Sequence, residues 1–579
     1  MKKLFYILSL TLGMTLFTAC DAEENGTTLP EAAVMQDGVY EGLGEGRSGM
    51  IKLAIEVENH ILTAIRILSQ SESKFAQPAE QQIMDAVLEK QTIEGVDAVS
   101  GATLTSNGML TAIGMAIDAS KGIQQEEVIY SDTSCDIVVV GAGGAGLAAA
   151  VQAASMGANV IVLEKQGIIG GNTNYATGGL NAAETSVQQK LGIQDSKQSH
   201  FDDTMSGGHF LNDSSLVATL VNKAAEAVDW LISLGADMSN VGQLAGSSQK
   251  RTHRPDGGAA IGPHLMSVLN KAIQAENISI RTRNTVTALT EQDGKVTGVK
   301  VSTSKGNYSI QAKSVILATG GFGANLSLVG QYRPELKDFP TSNHHGATGD
   351  AFQWVSPLQV SLVHMDQIQI HPTGEAGSHL LITEAVRGNG AILVNRNGVR
   401  FANEMWTRDK LSDAILQQTG KKAFLVFDQS VRESLAAIEN YAQQGLLTSA
   451  ETHTELAEAL QLPVSSFVET MEKYSLYQTT GEDKDFYRNA EEMPRPLTEA
   501  PYYAIEVEPV IHHTMGGIKI NAQAEVVNLD GNAIPGLYAA GEVTGGVHGG
   551  NRLGGNAVAD IIVFGQIAGT SAAQSLGLK

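Results

Sequence analysis

Basic and hydroxyl side chains that could together bind an anion recur in the second half of the chain. In chain order, the candidates are His371, Thr383, Glu384, Arg387, Arg408, His512, His513 and Arg552. Arginine presents two parallel donors to a carboxylate, and histidine and threonine add further donors. Because the chain has a formal net charge of −23, such a site depends on local cations, which screening over about 8–10 Å permits. Any one of these residues alone reads as structural, but the whole set predicts a site for an anionic substrate.

A glycine-rich turn is the second chemical signal. Gly141, Gly143 and Gly146 have the spacing G-x-G-x-x-G between an apolar run and an alanine-rich segment, and Glu164 ends the next apolar run. In this context the glycines let the backbone approach a pyrophosphate at a helix N-terminus, and the glutamate accepts from a ribose hydroxyl. The motif predicts a dinucleotide site but does not choose between FAD and NAD.

Apolar patterning indicates the elements that would position these residues. Predicted strands at Ile137–Val140 and Val160–Leu163 flank the alanine-rich helix, and this β-α-β unit implies parallel strands with helices on both faces. Segments 314–323 and 538–565 each begin with another buried strand before a glycine turn. Alternating apolar residues between 38 and 70 favour short antiparallel strands in a separate small domain.

Composition excludes several classes of protein. The chain has 579 residues, 42% of them hydrophobic, which is enough for buried cores and unlike a disordered chain. The net charge of −23 argues against a nucleic-acid partner, because phosphates would be repelled. Two cysteines cannot supply a disulfide scaffold, a cysteine-ligated iron–sulfur cluster or a C-x-x-C-H haem site.

The N-terminus reads as an export signal. Lys2 and Lys3 precede an apolar stretch, Leu4–Phe17, which is shorter than the ~20 residues of a spanning helix. The Thr-Ala-Cys ending at Cys20 resembles the lipobox of bacterial lipoproteins, and Asp21 resembles an inner-membrane retention signal. The alternative is an ordinary signal peptide with an incidental cysteine. We expect an exported protein, lipid-anchored to the bacterial cell membrane through Cys20.

Further motifs resemble the flavoprotein family of soluble fumarate reductases, the flavocytochrome c type. They are GGNTNYATGGLNA (170–182), ATGGFG (318–323), HHTMGG (512–517) and AAGEVTGGVHGGNRLGGNA (539–557). The resemblance covers about 134–579 and implies FAD. Membrane-bound relatives carry a histidine that attaches FAD covalently, whereas Asn172-Thr173-Asn174 contains none, so non-covalent FAD is expected. By position, the FAD contacts would be Gly141, Gly143, Gly146, Glu164, Lys165, Asn172, Thr173, Gly178, Gly179, Asp350, His513, Glu542, Ala557 and Val558.

The same resemblance implies how the anion site would bind and activate a dicarboxylate. His512 and Arg552 would hold one carboxylate. His371 and Thr383 would hold the other and twist it out of the plane of the double bond. The loss of conjugation would leave the alkene carbon more electrophilic toward a hydride from the flavin.

The proton donor implied by the family is an arginine. Arg408 would protonate the carbon next to the hydride acceptor, and Glu384 and Arg387 would resupply the proton. A free arginine has a pKa above 12, so this role requires a strongly basic carbanion and neighbouring cations that disfavour the charged form.

The family also holds a sodium ion near the HTMGG turn, largely through backbone oxygens. The matching residues are Thr514, Met515, Gly516, Glu542 and Thr544. The side chains give no independent reason for a metal, so no metal ligand is predicted.

A flavin-attachment signal occupies the small N-terminal domain. The segment VDAVSGATLTSNG (96–108) resembles the D-x-x-S-G-A-T motif in which a dedicated transferase esterifies FMN phosphate to the last threonine. Here that threonine is Thr103, and the other motif residues are Asp97, Ser100, Gly101 and Ala102. The alternative is a Ser/Thr-Gly turn that caps a helix after Thr105. FMN would then replace the haems of the flavocytochrome relatives as the point of electron entry.

The fold class expected from these observations is α/β. It comprises a Rossmann-like FAD-binding domain with an inserted α+β capping domain, preceded by a small α+β FMN-binding domain. The predicted boundaries are signal peptide 1–20, tether 21–36, FMN-binding domain 37–120, linker 121–133, FAD-binding domain 134–365, capping domain 366–513 and FAD-binding domain 514–579.

The predicted function is reduction of an unsaturated carboxylate, with fumarate first because both carboxylate clamps are retained. Urocanate reductases resemble this chain but carry tyrosine and aspartate at the positions of His371 and Glu384. The alternatives are a reductase of urocanate or an acrylate-type acid, and an FMN electron-transfer lipoprotein with a vestigial FAD part. The expected partners are a membrane-associated quinol dehydrogenase or cytochrome as electron donor and a flavin transferase for maturation.

Overall fold

The computed structural model describes residues 34–47, 49–72, 76–99, 101–123 and 128–579. The predicted signal peptide with Cys20, most of the tether and Ser100 of the flavin-attachment signal lie outside these ranges. Within them, no helix combines the length and the apolar character that crossing a bilayer requires.

The N-terminal domain is an antiparallel three-stranded sheet covered by two helices. Its elements are β1 (Gly38–Glu45), β2 (Met50–Glu58), β3 (Ile61–Ser69), α1 (Gln77–Lys90) and α2 (Thr103–Ser120). The alternation in the sequence buries Ile51, Leu53 and Ile55 against α2, where Met109 and Ile113 are fully buried. The predicted α+β character of this domain is confirmed.

The second domain begins with the β-α-β unit predicted from the sequence. Its elements before the insertion are β4 (Thr133–Val140), α3 (Gly144–Ser155), β5 (Val160–Leu163), β6 (Leu180–Asn181), α4 (Ser186–Lys190), α5 (Lys197–Gly207), α6 (Ser214–Ser233), β7 (Asn240–Gly242), β8 (Thr252–Arg254), α7 (Ile261–Ala275), β9 (Ser279–Arg281), β10 (Thr285–Gln292), β11 (Lys295–Thr303), β12 (Gly306–Leu317), α8 (Leu326–Tyr332), α9 (Ala351–Val355) and β13 (Leu362–Val363). Strands β12, β4, β5 and β9 are parallel neighbours in its main sheet, which confirms the Rossmann-like architecture.

An inserted domain follows, built on a five-stranded antiparallel sheet. Its elements are β14 (Ile368–Glu375), α10 (Ala385–Gly388), β15 (Ile392–Val394), α11 (Arg408–Leu416), β16 (Ala423–Asp428), α12 (Gln429–Glu433), α13 (Ala436–Gln443), β17 (Thr448–Ala450), α14 (His453–Ala459), α15 (Val464–Thr480) and β18 (Tyr502–Thr514). The strand order is β14-β18-β16-β15, with β17 also paired to β18. A separate apolar core, including Phe427 and Phe467, supports this capping domain.

The chain then returns to the dinucleotide domain. The last elements are β19 (Gly517–Lys519), β20 (Glu525–Val527), β21 (Ala533–Ala539), β22 (Thr544–Gly545) and α16 (Asn556–Gln574). Strand β21 adds to the main sheet parallel to β12, and α16 packs along α3. The capping domain is therefore inserted between two halves of one domain. The chain enters it just before His371 and leaves it just after His512 and His513.

Candidate active site

A cavity of about 490 Å³ connects the three domains. Its walls carry the glycine-rich turn, all the candidate anion-binding residues except Arg387, and the segment Gly101–Thr105 of the N-terminal domain. Of the predicted FAD contacts, all but Gly146 line this cavity. Residues that are far apart in the sequence thus meet in one place.

The glycines of the turn are required by close packing. Gly141 has φ +105°, a conformation that L side chains rarely adopt. A Cβ on Gly146 would lie 1.9 Å from the Gly141 carbonyl oxygen, so Gly146 lets helix α3 approach the strand although it does not line the cavity. Gly143, the N-cap of α3, has no side chain with which to cap the helix, and the N-terminus of a helix is a favourable place for an anion.

Glu164 lies at the carboxyl end of β5 beside the turn. Its two oxygens accept from the Ala142 and Gln166 backbone N–H groups at 2.9 and 2.8 Å. Burial raises the pKa of this carboxyl, although both backbone hydrogen bonds oppose the shift. A carboxylate held in this way keeps lone pairs for a ribose hydroxyl.

Other predicted FAD contacts are joined in pairs. Lys165 Nζ lies 2.7 Å from Asp350 Oδ2. Asn172 donates to Glu542 at 3.3 Å, and Thr173 Oγ1 accepts from the Gly144 N–H at 3.0 Å. These contacts tie the segment after β5 to the glycine-rich turn, to Asp350 and to Glu542.

The side chains around the cavity fit a flavin dinucleotide. Thr319 Oγ1, His344 Nε2 and His513 Nδ1 are buried and have no hydrogen-bond partner among the residues that the structure describes, and all three residues line the cavity. Buried polar groups normally find a partner, because leaving one unpaired costs about 1–3 kcal/mol. A bound FAD would bring donors and acceptors to this wall.

A β-bulge directs His512 into the site. In the pairing of β14 with β18, Gln369 opposes His513 and Ile370 opposes Ile511, so His512 is the extra residue. Bulges re-aim side chains next to active sites. The His512 ring lies 5.1 Å from the His371 ring, centroid to centroid.

His371 and His512 are both neutral imidazoles in this environment. Burial lowers the pKa of each well below its usual range, and nearby guanidinium groups, chiefly Arg408, lower it further. His371 Nδ1 accepts from the Thr373 N–H at 3.2 Å, while its Nε2 has no hydrogen-bond partner in the described part of the chain. That nitrogen is available to a ligand, and Thr383 lines the same part of the cavity.

Arg408 is the first residue of α11 and is held by Glu384. Arg408 Nε and Nη2 donate to Glu384 Oε2 at 3.0 and 2.8 Å. Glu384 Oε1 accepts from the Ala245 N–H at 2.9 Å. Arg387 Nη2 lies 4.0 Å from Glu384 Oε2, so the three residues proposed for proton delivery form one buried chain.

Gln369 is a site residue that the sequence did not reveal. Its Oε1 accepts from Arg408 Nη1 and from Arg552 Nη2, each at 3.1 Å, and thereby holds both guanidinium groups. Its amide nitrogen donates to Asn551 Oδ1 at 2.6 Å. Gln369 stands two residues before His371 on one strand, and this period-2 spacing is the signal that could have identified it.

Three guanidinium groups lie close together beside this end of the cavity. Those of Arg387, Arg408 and Arg552 all interact with the Glu384 carboxylate. Glu404 also attracts Arg387, and Glu542 and Asp560 also attract Arg552. Burial outweighs these carboxylates and lowers the pKa of Arg387 to about 10 and of Arg552 to about 9, with repulsion from Arg408 acting in the same direction. Burial raises the pKa of Glu384, but the arginines outweigh it, and the pKa is lowered overall. Such a group of arginines suits a ligand that carries carboxylates.

The residues matched to the family's sodium site bond to or pack against other residues of the protein. The Thr514 N–H and hydroxyl both donate to Glu542 Oε1, at 3.0 and 3.3 Å. The Thr544 hydroxyl donates to the Gly541 carbonyl at 2.8 Å, and the Met515 N–H donates to the Gln367 carbonyl at 3.0 Å. Gly516 packs closely against the backbone of His364.

Thr103 is exposed and lies on the wall of the same cavity. It begins helix α2, and the preceding residue, Ala102, provides no side-chain cap. Thr105, by contrast, is buried, and its hydroxyl donates to Glu72. Among the described residues, therefore, nothing supports the alternative of a helix-capping turn.

Comparison with known proteins identifies both cofactor domains. Residues 136–558 match the family described as FAD binding domain, and residues 46–118 match the family described as FMN-binding domain. Fumarate reductase (cytochrome) of Shewanella frigidimarina is 48% identical over 442 residues, covering 76% of this chain and 77% of that protein. NADH:fumarate oxidoreductase of Klebsiella pneumoniae is 44% identical over 85% of this chain and 54% of its own length.

A further relative and a solved structure point to the same family. Urocanate reductase of Eggerthella lenta is 34% identical over 97% of both chains. The solved structure of the open conformation of a flavocytochrome c3 fumarate reductase matches with a TM-score of 0.66 and 42% identity, over 76% of this chain and 78% of that one. The chain therefore belongs to the fumarate reductase family of flavoproteins, FAD-dependent oxidoreductases that act on CH–CH bonds, and it carries an FMN-binding domain ahead of its FAD-binding domain.

Proposed function

We propose that this enzyme reduces fumarate to succinate. The observation that carries the proposal is the group of buried guanidinium groups around Glu384, next to the Nε2 of His371, which has no hydrogen-bond partner among the described residues. A dicarboxylate would pair with these guanidinium groups and give His371 an acceptor. The names of the Shewanella and Klebsiella relatives point to the same substrate.

In this proposal the two ends of the substrate have separate partners. Arg552 and His512 bind one carboxylate, and Gln369 and Ser342 orient them, since Ser342 Oγ lies 2.9 Å from His512 Nδ1. His371 and Thr383 bind the other carboxylate and turn it out of conjugation. Bound reduced FAD would supply the hydride.

Proton delivery falls to the buried chain of Arg408, Glu384 and Arg387. Arg408 would give a proton to the substrate carbon next to the one that receives the hydride. Glu384, bonded twice to Arg408, would return a proton to it, and Arg387 would recharge Glu384. The lowered pKa of Arg387, about 10 through burial, makes its proton easier to release than that of an exposed arginine.

Electron entry in this proposal runs through FMN esterified to Thr103 by a flavin transferase. The exposed Thr103 hydroxyl on the cavity wall supports this role. A membrane-associated quinol dehydrogenase or cytochrome would be the donor. Export with lipid attachment at Cys20 is part of the proposal and rests on residues 1–20 of the sequence alone.

Replacing the proton donor tests the proposal against the electron-transfer alternative. We expect Arg408→Ala to lower the rate of fumarate-dependent oxidation of reduced methyl viologen by roughly 10²–10⁴, the usual contribution of a positioned general acid, with FAD content unchanged. Arg396→Ala, which removes an exposed arginine from the same domain, is the control. Turnover by Arg408→Ala equal to that of the control would exclude the assigned chemistry.

A further inference from the structure

The N-terminal domain is attached to the FAD-binding domain by a buried carboxylate. Glu45, the last residue of β1, is only 5% exposed. Its Oε2 accepts a hydrogen bond from the Gly167 backbone N–H, and its Oε1 lies 3.4 Å from His345 Nε2. Gly167 and His345 both belong to the FAD-binding domain, so this side chain crosses the domain boundary.

The environment of Glu45 favours its charged form. Burial alone would raise the pKa of this carboxyl, but the contacts to His345 and Gly167 outweigh burial and lower the pKa. A buried charge is costly without such partners. This buried contact therefore connects the two domains. The Glu41–Lys52 ion pair, which also involves a residue of β1, is exposed.

A second contact between the two domains involves Arg47, two residues after Glu45. The Tyr175 hydroxyl donates to the Arg47 carbonyl oxygen at 3.0 Å. The Arg47 guanidinium lies 4.7 Å from the centroid of the Tyr175 ring, in the range of a cation–π contact. Tyr175 follows Asn172 and Thr173 in the FAD site, and both Arg47 and Tyr175 line the cavity.

The segment before Thr103 rests on the capping domain. Gly101 has φ +81°, and a Cβ on it would lie 2.9 Å from Gln444 Nε2 and 3.5 Å from the Asn440 carbonyl oxygen. Asn440 belongs to α13, and Gln444 follows that helix directly. The N-terminal domain thus touches both other domains, and Thr103 faces the cavity between them.

A bridging metal is the alternative explanation for Glu45, His344 and His345, whose potential ligand atoms lie within 4.8 Å of one another. His344 Nδ1 already accepts from the Gly346 N–H at 3.0 Å, and His345 Nε2 lies 3.1 Å from Gln166 Oε1. Both imidazoles therefore have hydrogen-bond partners, and direct contact between the domains accounts for the cluster.

We propose that Glu45 and Arg47 are positioning residues for electron transfer between the two flavins. They dock the N-terminal domain so that a flavin on Thr103 faces the FAD cavity. The docked arrangement lets two electrons pass from reduced FMN, which is oxidised, to FAD, which is reduced. This inference rests on the proposed function, because it requires FMN at Thr103 and an acid that reoxidises FAD.

The test follows the oxidation of the two flavins as two successive kinetic phases. Holoprotein reduced with dithionite is mixed with fumarate in a stopped-flow spectrometer, and flavin absorbance is followed. A fast phase reports FAD oxidation by fumarate, and a second phase reports FMN oxidation through FAD. We expect the double variant Glu45→Ala/Arg47→Ala to slow the second phase by roughly tenfold or more and to leave the first phase unchanged. The single variant Arg47→Lys keeps the positive charge at this position, so its second phase should have most of the rate of the unsubstituted protein.

Glu41→Ala on the same strand is the matched control and should leave both phases unchanged. A readout that needs no turnover is hydrogen–deuterium exchange of α13, which should rise in the double variant and not in Glu41→Ala. A second phase and an α13 exchange equal to those of the control would overturn the inference. Absence of the first phase in the unsubstituted protein would instead contradict the proposed substrate, and absence of the second would contradict FMN at Thr103.

Discussion

Arg408 donates two hydrogen bonds to a single oxygen of Glu384, from Nε at 3.0 Å and from Nη2 at 2.8 Å. Since Nη1 donates to Gln369, all three guanidinium nitrogens are held and the group has one orientation. Ala245 fixes the other oxygen of Glu384 through its N–H. The pair is thus held in one geometry before any substrate binds, as its proposed roles of proton donor and proton source require.

Glu384→Gln should uncouple position from proton supply. The amide has nearly the same shape and can still accept from Arg408, so KM for fumarate should change little. It cannot carry a proton, so kcat should fall by roughly 10²-fold or more. Steady-state kinetics with reduced methyl viologen measure both constants, with Glu439→Gln on the surface of the capping domain as control. A kcat within twofold of the control would remove Glu384 from the proton path.

The substitution Gln369→Leu should weaken the binding of fumarate. The substitution leaves Arg408 and Arg552 without their shared acceptor, and each unpaired buried donor costs about 1–3 kcal/mol. We expect KM for fumarate to rise by about tenfold or more, because 1.4 kcal/mol is a tenfold effect. The exposed Gln198, which bonds to Asp202 on α5, provides the control Gln198→Leu. An unchanged KM would show that Gln369 does not orient the two arginines.

The pH dependence of kcat/KM should reflect the ionisation of Arg552. Burial, reinforced by Arg408, lowers the pKa of Arg552 to about 9 in the free protein. The charged form is present below that pKa and is lost as the pH rises through it. We therefore expect kcat/KM for fumarate to decline above about pH 9, while kcat declines only at higher pH, because the bound carboxylate stabilises the charge.

A substitution checks that assignment. Lysine has an ordinary pKa near 10.4, below that of arginine, and the same burial would lower it further. Arg552→Lys should therefore move the alkaline decline of kcat/KM to lower pH. A decline that stays at the same pH in this variant would assign it to another group.

Thr103→Ala should abolish covalent flavin while keeping FAD. Flavin fluorescence of the denatured protein on a gel should disappear, and the FAD released on denaturation should be unchanged. Thr103→Ser, which retains a hydroxyl, is the matched comparison. A fluorescent band in Thr103→Ala would place the flavin on another residue.

The sequence predicted the local elements of the fold well but the contacts between domains poorly. The G-x-G-x-x-G spacing and the period-2 patterning of β2 are local signals, and the structure has the elements they predict. Gln369, by contrast, bonds to two arginines distant in the sequence, and the bulge at His512 depends on register. Glu45 and Tyr175 make their contacts only where two domains meet. Packing across a domain boundary leaves no periodic trace in a single sequence.

The comparison of kcat/KM across unsaturated acids tests the central claim most directly. Anaerobic holoprotein with reduced methyl viologen would be offered fumarate, urocanate, acrylate and cinnamate under one set of conditions. A monocarboxylate leaves one of the two clamps, His371 with Thr383 or His512 with Arg552, without an anionic partner. We predict the highest kcat/KM for fumarate, by tenfold or more, with succinate as the product. A higher kcat/KM for urocanate, acrylate or cinnamate would contradict the assignment of this site to a dicarboxylate.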